Sequence, residues 1–245
     1  MAKKMDRVFL GMLTPSSNTV LEPVTARMLL GLSGVTPHFG RFRVTEISLG
    51  ANALGQFEPE PMLAAAELLA HARCHSICWN GTSAGWLGFE RDRELCRAIE
   101  SRTGTRACSS VLALEEILRA TGVTRFGMVS PYTDDIVQAI GRNFQREGFE
   151  CAAERHLGMK VNFDFSEIKP ETIAAMVREV ARDRPQAITV FCTNMDGASL
   201  AESLEGEIGI PIYDTIALAV WGSLRTAGVR PDRVEGWGRL FREVK

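Results

Sequence analysis

Residues 187–197, A-I-T-V-F-C-T-N-M-D-G, set one thiol and two polar side chains, Cys192, Thr193 and Asn194, directly after an apolar, β-branched run. Such a run reads as a buried parallel strand emptying into a loop. Ligands bind at that edge of an open α/β sheet, because loop side chains and the N–H groups of the next helix face outwards there. Three other stretches have the same form: Thr14-Pro15-Ser16-Ser17-Asn18, Gly81-Thr82-Ser83 and Ser130-Pro131-Tyr132-Thr133. Together they supply hydroxyls, amides, backbone N–H groups and a thiol, with no lysine or arginine. Such a set suits a carboxylate and a developing oxyanion or enediolate held by neutral hydrogen bonds, while the thiol gives or takes a proton. A helix starting near Cys192 would favour the thiolate through its dipole. Taken singly, each residue has a plainer role. Ser16, Ser17, Asn18, Thr82 and Ser83 can cap helices, Tyr132 can pack, and Cys192 can be a small core residue. The argument for a site is that the four loops converge.

The elements that must bring them together read as a β/α alternation along the whole chain. Strands are expected at Val8–Leu13, Arg43–Leu49, His75–Trp79, Ala107–Cys108, 125–130, 150–156, 187–192 and near Ile212. Helices are expected over Val20–Leu32, Pro61–Ala72, Arg91–Ser101, Val111–Ala120, 134–147, 170–183, 198–207 and 216–227. Strands separated by helices imply parallel sheets with helices outside. Phe9-Leu10-Gly11-Met12-Leu13-Thr14-Pro15 and Arg125-Phe126-Gly127-Met128-Val129-Ser130-Pro131 share G-M-[LV]-[TS]-P, and Gly81-Thr82-Ser83 and Cys192-Thr193-Asn194 repeat at a similar offset. Two matches at nearly one offset point to a duplicated unit. The expected fold is therefore α/β, with two similar Rossmann-like lobes of parallel sheet related by a pseudo-twofold axis and an active site in the cleft between them. Residues 1–112 with 217–245 would form the first lobe and 113–216 the second.

The length of 245 residues allows one large core or two small ones, and a net charge of −2 with interspersed signs gives no basic face for nucleic acid or anionic lipid. The N-terminal M-A-K-K-M-D-R lacks a signal-peptide core, and no apolar run approaches the ~18 residues of a membrane span. A cytoplasmic protein with neither nucleic acid nor membrane as partner is expected. The six cysteines have no metal-type spacing, and His38, His71, His75 and His156 sit in no polar constellation and read as surface or structural residues. Neither a metal nor a cofactor is expected.

At these residues the chain resembles the arylmalonate decarboxylase and maleate isomerase group of the aspartate/glutamate racemase superfamily. Gly81-Thr82-Ser83, A-C-S-S-V-L-A-L at 107–114, Pro131-Tyr132-Thr133-Asp134-Asp135, Cys192 and Gly236-Trp237-Gly238-Arg239-Leu240-Phe241 look like the decarboxylase branch. The resemblance implies a cofactor-independent lyase acting on a malonate-type dicarboxylic acid. An enediolate would be held by Thr82, Ser83, Tyr132 and the backbone at Cys192 and Thr193, and protonated by Cys192. Pro15-Ser16-Ser17-Asn18-Thr19 is similar to the isomerase branch, whose asparagine at the Asn18 position holds a substrate carboxylate, and Asn162 matches another isomerase asparagine. Pro15, Asn18, Gly81, Thr193, Asn194 and Asn162 are thus the expected substrate-binding residues. Racemases and maleate isomerases carry a second cysteine where this chain has Gly81, so one-sided protonation is expected here, and Gly81→Cys is expected to place a second thiol across the cleft. A maleate-type cis-trans isomerase is the alternative, and a non-catalytic two-lobed binder of small acids is the second.

Overall fold

The computed structural model describes residues 7–243; the N-terminal stretch 1–6, read above for targeting, lies outside the described residues. Eight strands run β1 Val8–Pro15, β2 Val35–Phe42, β3 Ser76–Trp79, β4 Ala107–Ser109, β5 Arg125–Ser130, β6 Glu150–His156, β7 Ala187–Val190 and β8 Ile212–Asp214. They build two parallel four-stranded sheets of the same order, β2-β1-β3-β4 and β6-β5-β7-β8. The helices are α1 Leu21–Leu29, α2 Ala51–Leu54, α3 Pro59–His71, α4 Ala84–Leu87, α5 Phe89–Thr103, α6 Ser110–Ala120, α7 Asp134–Arg146, α8 Pro170–Ala181, α9 Ala198–Ile208, α10 Thr215–Thr226 and α11 Leu240–Glu243. The architecture is the expected α/β arrangement of two similar sheets.

The central strands are continuous apolar runs because helices cover both faces: Ser76–Trp79 and Ala187–Val190 are buried at every residue. The shared G-M motif lies in β1 and β5, beside the crossing point of each sheet. There each glycine admits a close neighbour. A Cβ on Gly11 would lie 3.1 Å from the Ser76 carbonyl, and one on Gly127 would overlap Val180 of α8. The last strand of each sheet passes straight into a helix capped in the same way. Ser109 accepts from Leu112 N at the start of α6, and Asp214 accepts from Ile216 N and Ala217 N at the start of α10.

One strand differs from expectation. The second strand is Val35–Phe42, not Arg43–Leu49. Pro37 and Gly40 are strand breakers in isolation, but β2 is an edge strand, where a proline lacking an N–H is tolerated. Gly40 also lets α3 lie close, since a Cβ there would sit 3.2 Å from Leu69 and 3.3 Å from the Ala65 carbonyl. The apolar alternation in 43–49 serves another purpose. Glu46 forms an isolated antiparallel bridge with Val161, Ile47 N donates to the Lys160 carbonyl at 2.8 Å, and Asn162 N to the Thr45 carbonyl at 3.0 Å. This strap joins the two halves.

Two further contacts fix how the sheets face one another. Helix α4 packs on α7, with Asn143 Nδ2 donating to the Gly85 carbonyl at 2.9 Å. A Cβ on Gly85 would lie 2.7 Å from the Phe191 ring, so glycine allows the segment after β3 to press against the segment after β7. Helix α10 follows β8 yet packs on α6, β3 and β4. No described helix is long and apolar enough to cross a membrane.

Candidate active site

The strand-end loops of both halves meet in the buried interior between the sheets. Tyr132, from the loop after β5, lies with its hydroxyl 2.6 Å from Thr82 Oγ1, from the loop after β3. Cys192 follows β7 by two residues. Its sulfur accepts from Asn194 N at 3.4 Å and hydrogen-bonds the Tyr132 side chain. Cys192 and Tyr132 are each 2% exposed and Thr82 is 5% exposed, so any substrate is taken out of bulk water here. Tyr132 is set by packing: its ring makes edge contacts with Trp86 at 5.4 Å and Phe165 at 5.7 Å between centroids.

The thiol differs from expectation. Helix α9 begins only at Ala198, so no helix N-terminus touches Cys192, and burial pushes its ionisation up to about 12. The hydrogen bonds from Tyr132 and Asn194 pull the other way without overcoming burial, and the nearby Asp214 carboxylate adds to the rise. With its ionisation pushed that high, the Cys192 sulfur stays a neutral S–H at neutral pH. Burial likewise pushes the Tyr132 hydroxyl well above its usual range, leaving it a neutral donor.

Gly81 brings a second correction. A Cβ built on Gly81 would overlap Cζ2 and Cη2 of Trp79 and lie 2.6 Å from Cε2. The indole occupies the space that a side chain there would enter, so the opposed thiol expected from Gly81→Cys requires the Trp79 ring to move. Trp79 is 1% exposed and stacks obliquely on Phe42 at 5.2 Å. The sequence hid this role, because a tryptophan ending an apolar strand reads as core. Ser110 was also missed. Its hydroxyl donates to the Gly81 carbonyl at 2.6 Å and ties the Gly81–Thr82 turn to α6.

The asparagines form a chain across the interface. Asn18 Nδ2 donates to the Thr193 carbonyl at 2.9 Å and to Thr193 Oγ1 at 3.2 Å, while Asn18 Oδ1 accepts from Val20 N and Leu21 N ahead of α1. Thr193 Oγ1 donates to the Asn80 carbonyl at 3.1 Å. Asn194 Oδ1 accepts from Thr19 N, Asn194 Nδ2 donates to the Asn162 carbonyl at 2.6 Å, and Asn162 Nδ2 donates to Ser17 Oγ at 2.7 Å. Pro15, at the end of β1, accepts from Asn18 N at 3.0 Å. Ser83 lines a cavity behind the loop together with Trp79. The amides of Asn18, Asn162 and Asn194 thus hold the loops to one another. Asn18→Ala removes four hydrogen bonds, three of them buried, and should destabilise the chain by about 2–4 kcal/mol, read as a lower urea midpoint with unchanged slope.

Backbone donors remain. The N–H groups of Thr82, Ser83, Cys192 and Thr193 donate to no protein acceptor among the described residues. Among the described residues no group of three His, Cys, Asp or Glu side chains is placed to hold a metal. The histidines are engaged elsewhere: His75 Nδ1 accepts from Phe9 N, and His156 pairs with Asp134 and Glu154.

A family model for arylmalonate decarboxylase matches residues 58–241. Among curated proteins, a maleate isomerase of Nocardia farcinica is 27% identical over 96% of this chain and 95% of its own. An arylmalonate decarboxylase of Bordetella bronchiseptica is 23% identical over 94% and 98%. Among solved structures, a cysteine-to-serine mutant of Nocardia farcinica maleate cis-trans isomerase with a covalently bound succinylcysteine intermediate has a TM-score of 0.88 at 24% identity, covering 97% of this chain and 99% of that one. A liganded double mutant of arylmalonate decarboxylase has a TM-score of 0.82 at 20% identity, with the same coverage. Both likenesses concern the fold.

Proposed function

Since this chain belongs to the arylmalonate decarboxylase family, we propose that it is a cofactor-independent decarboxylase of a malonate-type dicarboxylic acid. The observation that carries the reading is the single thiol: Cys192 faces the Tyr132–Thr82 pair, while the Trp79 indole fills the place beside Gly81 where a second cysteine would stand. The retained carboxylate lies against the Tyr132 and Thr82 hydroxyls and the N–H groups of the loops after β3 and β7. The bond from the α-carbon to the other carboxylate breaks and CO2 leaves. The electron pair stays as an enediolate, whose growing negative charge is met by donors already in place. Cys192 then transfers its S–H proton to the α-carbon. The sulfur left negative accepts from Asn194 N and Tyr132, and solvent restores the proton. Each turnover consumes one proton and yields one monocarboxylate and one CO2.

A maleate-type isomerase is the second reading, favoured by relatives such as the Nocardia farcinica protein and by Pro15-Ser16-Ser17-Asn18-Thr19. The solved cysteine-to-serine mutant of that isomerase still carries a succinylcysteine, so its adduct sits on a cysteine that was left intact. The resemblance places the isomerases' second cysteine at Gly81 of this chain, and its absence weighs towards the lyase.

Incubation with phenylmalonate, methylmalonate and maleate, following CO2 and fumarate together, separates the readings. CO2 release from a malonate is the expected result; fumarate without CO2 would establish the isomerase, and saturable binding without turnover a binding protein. Tyr132→Phe and Thr82→Ala should each lower kcat by roughly 10- to 1000-fold, the range for loss of one oxyanion donor. Unchanged rates in both would remove this pair from the chemistry.

A further inference from the structure

Behind the Gly81–Ser83 turn, between α3 and α5, lies a cavity of about 140 Å³ that the decarboxylation does not use. Phe57, Met62, Leu87 and Leu95 form apolar walls, Trp79 and Ser83 close the inner end, and the mouth opens beside Pro59, Arg91 and Glu94 at the surface. Two of its lining residues carry a buried polar atom without a partner among the described residues. Asp92 is 2% exposed with Oδ2 unpaired, and Trp79 is 1% exposed with Nε1 unpaired. An indole N–H only donates, while burial pushes the Asp92 carboxyl up to about 7, so that it accepts when ionised and donates when protonated; one ligand atom that both accepts and donates meets the two orphans in either state. A hydroxyl is such a group. The space is close to the ~150 Å³ of an engineered apolar cavity that takes up benzene, so a single ring fits. Buried orphan atoms are rare in native folds and are satisfied by water or by a ligand.

We propose that this cavity is a binding site for a small hydroxylated aromatic of the phenol class, with the ring among Phe57, Met62 and Leu95 and the hydroxyl donating to Asp92 and accepting from Trp79. Trp79 and Ser83 line this cavity, while Cys192, Tyr132 and Thr82 do not.

Calorimetric titration of the intact protein with phenol and with toluene tests this. Saturable phenol binding, at least tenfold tighter than toluene, is expected, and it should persist when a malonate saturates the protein. Asp92→Leu should abolish the preference for phenol over toluene. Ala98→Phe, which fills the mouth from a half-buried position on α5, should remove phenol binding while leaving turnover unchanged; Leu95→Phe provides a second way to fill the space if that variant folds poorly. No saturable phenol binding, toluene binding as tight as phenol, competition by the malonate, or binding that survives both filled variants would each overturn the proposal. None of these outcomes bears on whether the Cys192 site releases CO2.

Discussion

Cys192→Ala is expected to reduce decarboxylation by 10³-fold or more while leaving the affinity for a malonate nearly unchanged. In the proposed mechanism the thiol supplies the proton at the α-carbon, whereas the carboxylate donors would be Tyr132, Thr82 and backbone N–H groups that the substitution leaves in place. The split between KM and kcat follows, because an interaction made only as the proton moves lowers kcat alone. Product from the residual reaction should lose enantiomeric purity, since solvent then protonates the enediolate without a fixed side. The raised thiol ionisation gives a second readout. With Cys192 pushed up to about 12, its alkylation by iodoacetamide should be slow at pH 7 and climb about tenfold per pH unit, with no plateau before about pH 11. Peptide mapping against activity identifies the thiol. A plateau near pH 7, or activity lost while Cys192 remains unlabelled, would count against the acid role.

The second large effect concerns Trp79 and Gly81 together. Gly81→Cys alone should give little gain in α-proton exchange and a markedly less stable protein, because the new side chain meets the indole of a fully buried residue. Joined to Trp79→Leu, the cysteine gains room. Two thiols on opposite faces of the enediolate can then remove a proton from one side and return it on the other. The double variant is expected to racemise an α-aryl or α-alkyl carboxylic acid in D2O at least tenfold faster than either single variant, while CO2 release falls. Trp79→Leu alone leaves a cavity and should cost about 1–4 kcal/mol without adding exchange. Chiral analysis and deuterium incorporation across the four proteins measure the coupling. Equal exchange in Gly81→Cys and in the double variant would mean that the indole yields easily and is not what keeps this site one-sided.

The sequence by itself determined the layered α/β alternation and the duplication. Continuous apolar runs such as Ala187–Val190 can be buried only inside a parallel sheet, and G-M-[LV]-[TS]-P recurs because each half needs the same glycine at its central strand. It also marked the loops holding Thr82, Tyr132 and Cys192, since polar residues after such runs must lie at a sheet edge. Local pattern misplaced the second strand, because Pro37 and Gly40 are breakers in isolation and acceptable only at an edge with α3 alongside. Three features belonged to tertiary structure alone. Burial holds Cys192 protonated although the sequence suggested a helix terminus, because desolvation depends on what surrounds the sulfur and not on its neighbours in the chain. The amides of Asn18, Asn162 and Asn194 find partners up to 175 residues away. The Trp79 ring occupies the space beside Gly81, and no spacing rule says where a large side chain will point once two sheets close on each other.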